Sequence, residues 1–201
     1  MEKQNIQKDW TGNKTSVFAT LGASNHAKHE RQEHDYYATD PKAAELLLQH
    51  ETFEGAIWEP ACGEKHLSRV FEKHGFTVRS SDLVQRCECE QLDFLSMEAG
   101  PFDGNIVTNP PFRYAVEFVR KSIQLIPDGK KVAMFLRIQF LEGIERRELF
   151  RITPPKRVYI FSRRINCAIN GQFTNRSSSP ATYAWFVWVK GWKGEPVIRW
   201  I

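Results

Sequence analysis

Apolar and polar positions form two kinds of pattern along this chain, short apolar runs and amphipathic segments, and each pattern predicts one kind of element. Short apolar runs bounded by turn residues predict buried strands. These runs lie at residues 56–58, 76–82, 105–108, 131–136, 157–161 and 183–189.

Amphipathic segments separate most of these runs and predict helices. The first helix opens at Asp40 and Pro41, because aspartate caps a helix N-terminus and proline suits the first turn. The apolar spacing predicts three more, near residues 67–74, 115–126 and 142–150. This alternation predicts an α/β fold with a doubly wound, mostly parallel sheet. No helix separates the last two strands, so we expect the final strand to run antiparallel, in a pair at one edge.

The first residues of the chain lack this periodicity. Residues 1–33 are predicted to form a polar, mobile N-terminal arm, in which the apolar patch 16–21 is the candidate for order. Residues 34–201 predict a single domain without a separate target-recognition domain.

Charge is distributed unevenly. Residues 1–145 carry 17 Lys and Arg against 22 Asp and Glu, a net −5, whereas residues 146–201 carry 11 against 2, a net +9. A basic C-terminal quarter on an acidic body suits a polyanion such as nucleic acid. A solvated basic face is the alternative interpretation.

Other features narrow the class of protein. No apolar run approaches the about 20 residues that cross a bilayer, and the N-terminal segment lacks a signal-peptide core, so we expect a cytoplasmic protein without a membrane partner. Cys87 and Cys89 could recruit His66 or His74 to a metal. The chain has no Cys-x-x-Cys pair, however, which favours reduced, mostly buried thiols and no metal.

Candidate chemistry lies where the predicted strands end, because ligands of open α/β sheets bind beyond the carboxyl ends of the strands. The turn Glu59-Pro60-Ala61-Cys62-Gly63 has small residues that let backbone amides approach a ligand. Asp82 follows Gly63 by 19 residues and could accept bonds from ribose hydroxyls. Each signal alone also fits an ordinary turn.

A third strand end carries Asn109-Pro110-Pro111-Phe112. Two prolines stop the strand and remove two backbone donors, which leaves a stiff turn with the Asn109 amide, free carbonyls and an aromatic ring. Such a group suits an exocyclic amino donor held flat beside an aromatic ring. Local chemistry leaves a second interpretation open: a proline-rich loop with an incidental asparagine and a core phenylalanine.

The order of these segments resembles the motif series of adenine-N6 DNA methyltransferases. From about Asp35 to Ile201 the chain is also similar to small methyltransferase-like proteins of bacteriophages and prophages, which would place it in a bacterial or phage-infected cell. The segments that carry the resemblance are residues 35–41, 59–63, 81–83, 93–95 and 103–112.

This resemblance implies a Rossmann-like methyltransferase sheet that binds S-adenosylmethionine. The implied cofactor site comprises Tyr37, Thr39, Glu59, Pro60, Ala61, Cys62, Gly63, Asp82, Leu83, Asp93, Phe94 and Asn109. By the same resemblance, the turn 59–63 wraps the methionine part, and Thr39 helps to hold its carboxylate. Asp82 binds the ribose, while Asp93 accepts from the adenine amino group and Phe94 packs on the ring.

The catalytic residues implied are Asn109, Pro110 and Phe112. The Asn109 side chain and the Pro110 carbonyl would hold the target amino group, and Phe112 would stack on the target base. Two departures from the pattern stand out. Lys65 lies where related turns carry a small residue, and we expect it to point to solvent. Phe112 replaces a commoner tyrosine, but stacking needs only the ring.

Target recognition must come from loops, because only 14 residues separate Phe94 from Asn109 and little follows the last strand. The loop 162–180 is rich in Arg, Asn, Gln and Ser, which suit phosphate and base-edge contacts. Its predicted substrate contacts, with Phe112, are Arg163, Arg164, Asn170 and Arg176. A flexible polar loop is the alternative.

The sequence therefore predicts an S-adenosylmethionine-dependent N-methyltransferase that acts on N6 of adenine in DNA. An Asn-Pro-Pro-aromatic turn also serves enzymes that methylate RNA bases or protein glutamine, so both substrates stay open. A catalytically idle phage factor that keeps the fold and binds DNA or a host protein is the alternative from another class.

Overall fold

The computed structural model describes residues 38–98, 100–165, 167–168 and 181–201. Within these ranges the strands are β1 (Ala38–Thr39), β2 (Ala56–Glu59), β3 (Val78–Asp82), β4 (Glu90–Gln91), β5 (Gly104–Thr108), β6 (Lys131–Arg137), β7 (Arg157–Ile160), β8 (Cys167–Ala168), β9 (Tyr183–Val189) and β10 (Val197–Trp200). The arm predicted at residues 1–33, with its patch at 16–21, lies outside the described residues.

Four α-helices connect the strands in the described ranges: α1 (Lys42–His50), α2 (His66–Lys73), α3 (Ala115–Leu125) and α4 (Ile144–Ile152). Short 3-10 helices cover Phe112–Tyr114 and Ile138–Leu141. The predicted capping role of Asp40 is wrong, because Pro41 occupies the N-cap position of α1 without a side-chain capping bond, and Asp40 Oδ1 instead accepts from the Lys42 N–H over 2.9 Å. No helix within the described ranges has the length and apolar character that crossing a membrane requires.

Eight strands form one sheet in the order β10-β7-β9-β6-β5-β2-β3-β4, and β1 pairs with β8 in a separate antiparallel ladder. In the large sheet only β9 runs antiparallel to its neighbours. The predicted α/β class and mostly parallel sheet, with an antiparallel strand near the C-terminus, are confirmed.

The predicted edge position of that antiparallel strand is wrong. β9 lies between β6 and β7, because six of its seven residues are buried and an edge position would leave one side of the strand open. The edge is β10, which pairs in parallel with β7. β10 was not predicted, although three of its four residues are apolar, and all four are exposed.

Two hydrophobic cores cover the faces of the sheet. Successive strand residues alternate between them, so that Ile57 and Val107 lie in one core and Trp58 and Ile106 in the other. α1 and α2 pack on the first face, and α3 and α4 on the second. The loops that follow the strands are thereby held at one edge of the sheet.

Candidate functional site

Four parallel neighbours, β3, β2, β5 and β6, end at the same edge of the sheet. β9 runs the other way, so it begins at this edge, where Tyr183 pairs with Arg137 at the end of β6. Segments far apart in the sequence therefore meet along one line. The predicted turn 59–63, Asp82 and Asn109 all lie on it.

Glu59, the last residue of β2, is almost fully buried at 2% exposure. Its Oε2 accepts a 2.8 Å hydrogen bond from the Ser68 N–H and a second bond from the Ser68 hydroxyl. Burial raises the pKa of Glu59 to about 8, and the nearby Asp82 adds to this effect against the Ser68 bonds. Glu59 thus joins the turn 59–63 to the first turn of α2.

The turn itself bends through two left-handed residues, Gly63 with φ 53° and Lys65 with φ 64°. Lys65 is the one non-glycine residue with positive φ in the described ranges. Its ammonium group lies 2.9 Å from Glu72 of α2. Lys65 therefore extends along the helix to Glu72 instead of pointing to solvent as predicted, and the left-handed backbone needed here comes from a residue that pays a steric cost.

Asp82 ends β3 beside this turn. Its Oδ2 accepts from the Gly63 N–H over 2.8 Å, and its Oδ1 accepts from the Val84 N–H over 2.9 Å and from Arg86 over 3.2 Å. The next residue, Leu83, is 53% exposed. A carboxylate and an exposed apolar side chain thus stand together at the turn.

Asp93 and Phe94 follow β4, and they differ in exposure. Asp93 is exposed and its Oδ1 accepts from the Leu95 and Ser96 N–H groups, at 3.0 and 3.2 Å. The bond from the Ser96 side chain lowers the pKa of Asp93 most. Phe94 is only 2% exposed and packs in the core, edge-on to Trp58 at 5.3 Å.

Asn109 follows β5 directly and is half-buried. Its Nδ2 donates to Thr39 Oγ1 over 2.8 Å, so β1 sets the orientation of the amide. This bond occupies the NH₂ side of the amide group, and the carbonyl oxygen is turned away from the hydroxyl. The structure thus brings together two predicted site residues that lie 70 positions apart. Pro110 follows and is buried.

Phe112 begins a 3-10 helix and is half-buried. Its ring stacks on Tyr183, with centroids 5.8 Å apart and planes at 29°. The Arg137 guanidinium lies over the Phe112 ring, 4.8 Å from the centroid. Tyr183 and Arg137 were not predicted as site residues, although Arg137 also ends a strand and could have been found by the same rule.

Arg163 and Arg164 are exposed in the segment after β7. That segment leads to β8, which pairs with β1 at Thr39 and Cys167. The predicted recognition loop therefore starts beside the residue that orients Asn109. Tyr37, Asn170 and Arg176 lie outside the described residues.

Three cysteines meet beside the turn 59–63. The sulfur atoms of Cys62, Cys87 and Cys89 all lie within 4.8 Å of one another. Burial raises the pKa of the Cys62 thiol well above its usual range, and burial also raises the pKa of Cys87, to about 11. This set differs from the one considered from the sequence, since His74 bonds Glu45 instead, at 2.6 Å.

The same fold occurs in solved structures of low sequence identity. A candidate class I S-adenosylmethionine-dependent methyltransferase from Listeria monocytogenes has a TM-score of 0.57 and 13% identity, over 93% of this chain and 71% of that chain. A candidate RNA methyltransferase from Pyrococcus horikoshii has a TM-score of 0.55 and 13% identity, over 90% of this chain and 99% of that chain. The chain has the methyltransferase fold.

A modification subunit of a candidate type I restriction enzyme from Vibrio vulnificus YJ016 has the same fold, with a TM-score of 0.57 and 10% identity. The match covers 93% of this chain and 50% of that chain, so the present chain spans half the length of that subunit. The sequence matches no protein-family model and no curated protein.

Proposed function

We propose that this chain is an S-adenosylmethionine-dependent methyltransferase that acts on an exocyclic amino nitrogen, N6 of adenine in DNA. The observation that carries the proposal is the Asn109 amide, which Thr39 orients at the end of β5, one strand away from the turn 59–63. An asparagine that only shaped its own loop would not need a hydrogen bond from its side chain to Thr39, which belongs to the separate β1–β8 ladder.

The residues around the turn fit the cofactor by the chemistry of their groups. The turn offers backbone amides between small residues, Asp82 keeps lone pairs for ribose hydroxyls, and the exposed Leu83 offers an apolar face to a purine. Asp93 and Tyr37 complete the proposed site, with Phe94 supporting its wall from the core. S-adenosylmethionine supplies an electrophilic methyl group when it is bound.

The chain's own residues then prepare the nucleophile. An amino group on a purine is weakly nucleophilic, because its lone pair is delocalised into the ring. The Asn109 carbonyl oxygen and the Pro110 carbonyl accept its two hydrogens and draw the nitrogen toward tetrahedral geometry, which localises the lone pair. Positioning supplies much of the rate in such a transfer, and no strong base is required.

Phe112 supplies the stacking surface for the target base. Its ring packs on Tyr183, and the Arg137 guanidinium lies over it, so a target base can stack on Phe112 only when Arg137 swings aside. A base taken from a duplex loses its neighbours in the stack, and an aromatic ring recovers part of that loss. Arg137 would also stand close to the phosphates of a bound strand.

DNA as substrate is supported by charge and by the position of the loop after β7. Arg163 and Arg164 are exposed there, and Asn170 and Arg176 belong to the same predicted loop. The fold is shared with a modification subunit of a restriction enzyme and with an RNA methyltransferase, so RNA is the competing nucleic acid. Binding through these arginines should weaken steeply with salt.

The test is methyl transfer from labelled cofactor to a panel of DNA, RNA and protein, followed by nucleoside mass spectrometry. We expect N6-methyladenine in DNA. Asn109→Ala should lower turnover about 100- to 1000-fold, as does the removal of one preorganised polar group from other active sites, and leave cofactor binding intact by calorimetry. Gln124→Ala, which removes an exposed carboxamide from α3, is the matched control and should retain full activity.

Each part of the proposal has its own contrary result. Full turnover by Asn109→Ala would remove the catalytic assignment. Label found only in RNA or only in protein would replace the substrate. A wild-type protein that folds but does not bind S-adenosylmethionine would leave an idle scaffold instead of an enzyme.

A further inference from the structure

Two loops at the carboxyl edge of the sheet bring three thiols together. Cys62 lies in the turn after β2, and Cys87 and Cys89 lie in the loop between β3 and β4. Their sulfur atoms are all within 4.8 Å of one another, and no fourth metal-binding side chain of the described residues joins this group.

The backbone holds these loops in register. The Cys62 N–H donates to the Ser81 carbonyl over 3.0 Å, which fixes the turn against the end of β3. The Cys89 N–H donates to the Cys87 carbonyl over 3.0 Å, in a tight turn that keeps both thiols on the same side. The Cys87 thiol in turn donates to the Gly63 carbonyl over 3.2 Å. The cluster is therefore formed by the fold itself.

Packing does not account for the cluster. A cysteine that serves as a small apolar side chain is normally fully buried, as Cys62 is at 5% exposure. Cys87 and Cys89 are only partly buried, so an ion could reach them from solvent. Cys87 and Cys89 therefore bury little apolar surface in the loop between β3 and β4. Their sulfur atoms are, however, soft metal ligands.

We propose that Cys62, Cys87 and Cys89 bind one thiophilic metal ion of the zinc class. Zinc takes thiolate ligands at about 2.3 Å, and tetrahedral geometry then separates two sulfurs by about 3.8 Å. The observed limit of 4.8 Å requires only small side-chain rotations to reach this spacing. Three thiolates leave one position of the ion for an exchangeable ligand such as water.

This site departs from the expectation of no metal, which rested on the missing Cys-x-x-Cys pair. Its ligands come from a Cys-x-Cys turn and a distant cysteine that the parallel pairing of β2 and β3 brings alongside. A bound ion would tie the turn 59–63 to the loop that carries Asp82 and Leu83. The proposal concerns metal binding alone and does not depend on methyl transfer.

The experiment titrates the reduced full-length protein with Co²⁺ and then with Zn²⁺, under anaerobic conditions. We expect one Co²⁺ per chain, an intense sulfur-to-cobalt charge-transfer band, and displacement of that band by Zn²⁺. Loss of a residue that only supports a metal ligand weakens binding by up to about 100-fold. Cys87→Ser and Cys89→Ser each remove a ligand itself, so each should weaken Zn²⁺ binding by at least about 100-fold.

Cys167→Ser is the matched control, because it removes the fourth cysteine of the chain and leaves the three cysteines of the proposed site in place. It should bind the ion with wild-type affinity. Zn²⁺ should also raise the melting temperature of the wild type and of Cys167→Ser, but not of Cys87→Ser, because a ligand that binds only the folded state stabilises it. Circular dichroism of the metal-free variants shows whether each one folds.

Several outcomes would overturn the site. They are the absence of a stoichiometric Co²⁺ band in the reduced wild type, equal loss of affinity in Cys167→Ser, and wild-type affinity in both cluster variants. A disulfide within the cluster that persists after purification in the presence of a reductant, seen as a mass lower by two hydrogens, would replace the metal site with a redox pair.

Discussion

One glutamate is buried at each end of the strands of the large sheet, which are called here the amino edge and the carboxyl edge. The surroundings shift the pKa of these two glutamates in opposite directions. At the amino edge, the Glu51 carboxylate contacts Lys131 at 2.6 Å, Arg157 at 2.5 Å and the Tyr159 hydroxyl at 2.7 Å. Burial would raise the pKa of Glu51, but these three partners together outweigh burial and lower it. At the carboxyl edge, Ser68 is the only residue in the described ranges that bonds the Glu59 carboxylate directly, and the pKa of Glu59 rises to about 8.

The groups that stabilise the fold and the groups suited to chemistry therefore lie at opposite ends of the strands. The amino edge joins the starts of β6 and β7 to the end of α1 by complementary charges. The carboxyl edge concentrates a buried carboxyl group, a left-handed lysine and three neighbouring thiols, which each cost stability. Uncompensated groups of this kind cluster at functional sites, so the carboxyl edge is where function is expected.

The largest effect on stability is expected from Glu51→Ala. This change leaves Lys131 and Arg157 without their shared carboxylate in a site where both are less than one-third exposed. The free energy of unfolding should fall by about 3 kcal/mol, measured by urea denaturation. Methyl transfer per folded molecule should stay unchanged, because the amino edge lies at the opposite end of the strands from Asn109.

Glu54→Ala is the control for that measurement, since Glu54 is exposed in the same segment and should change stability little. A loss in Glu51→Ala no larger than in this control would mean that the amino edge does not stabilise the fold. The comparison of the two edges would then fail.

Glu59→Gln tests the other edge through its pH dependence. A folded-state pKa of about 8 against an ordinary value of 4.5 means that the folded protein holds a proton that the unfolded chain releases. This contribution to stability is complete below pH 4.5 and is lost as the pH rises through 8. The variant lacks the titration, so its stability relative to wild type should rise steadily across this window.

Urea denaturation between about pH 5 and about pH 9 measures the difference, with Glu51→Gln as the opposite case. The lowered pKa of Glu51 gives stability that is present above the ordinary carboxyl range and is lost as the pH falls through the folded value. The destabilisation of Glu51→Gln should therefore shrink in acid. Parallel pH profiles for the two variants would contradict the distinction between the edges.

The smallest effect is expected from Thr39→Val, which removes the acceptor that orients Asn109 and nearly preserves volume. Turnover should fall about tenfold, the value of one hydrogen bond, while KM for DNA stays the same. Thr39→Ser keeps the hydroxyl and should restore turnover. Equal rates for the Val and Ser variants would show that the bond does not position the amide.

Apolar patterning predicted the strands and helices that build the two cores. It failed at β10, whose residues are all exposed, and at the two-residue strands β1, β4 and β8, which are too short for a periodic signal. It also placed β9 at an edge, because the order of strands depends on tertiary packing and not on the order of the sequence.

The residues of the candidate site also divide into those that the sequence pattern predicts and those that depend on tertiary packing. Asn109, Asp82 and the turn 59–63 were predictable because the carboxyl ends of strands can be read from the pattern. Tyr183 was not, since its place beside Phe112 depends on the antiparallel register of β9 against β6. The meeting of Cys62 with Cys87 and Cys89 depends on a loop conformation that no spacing encodes.

Thr39 also has a second partner. Its backbone pairs with Cys167 of β8, while its hydroxyl holds the Asn109 amide. Two segments that are far apart in the sequence thus meet at Thr39, one through its backbone and the other through its hydroxyl. The short ladder of β1 and β8 therefore joins the segment after β7 to the residue that orients the Asn109 amide, without a contact through the large sheet.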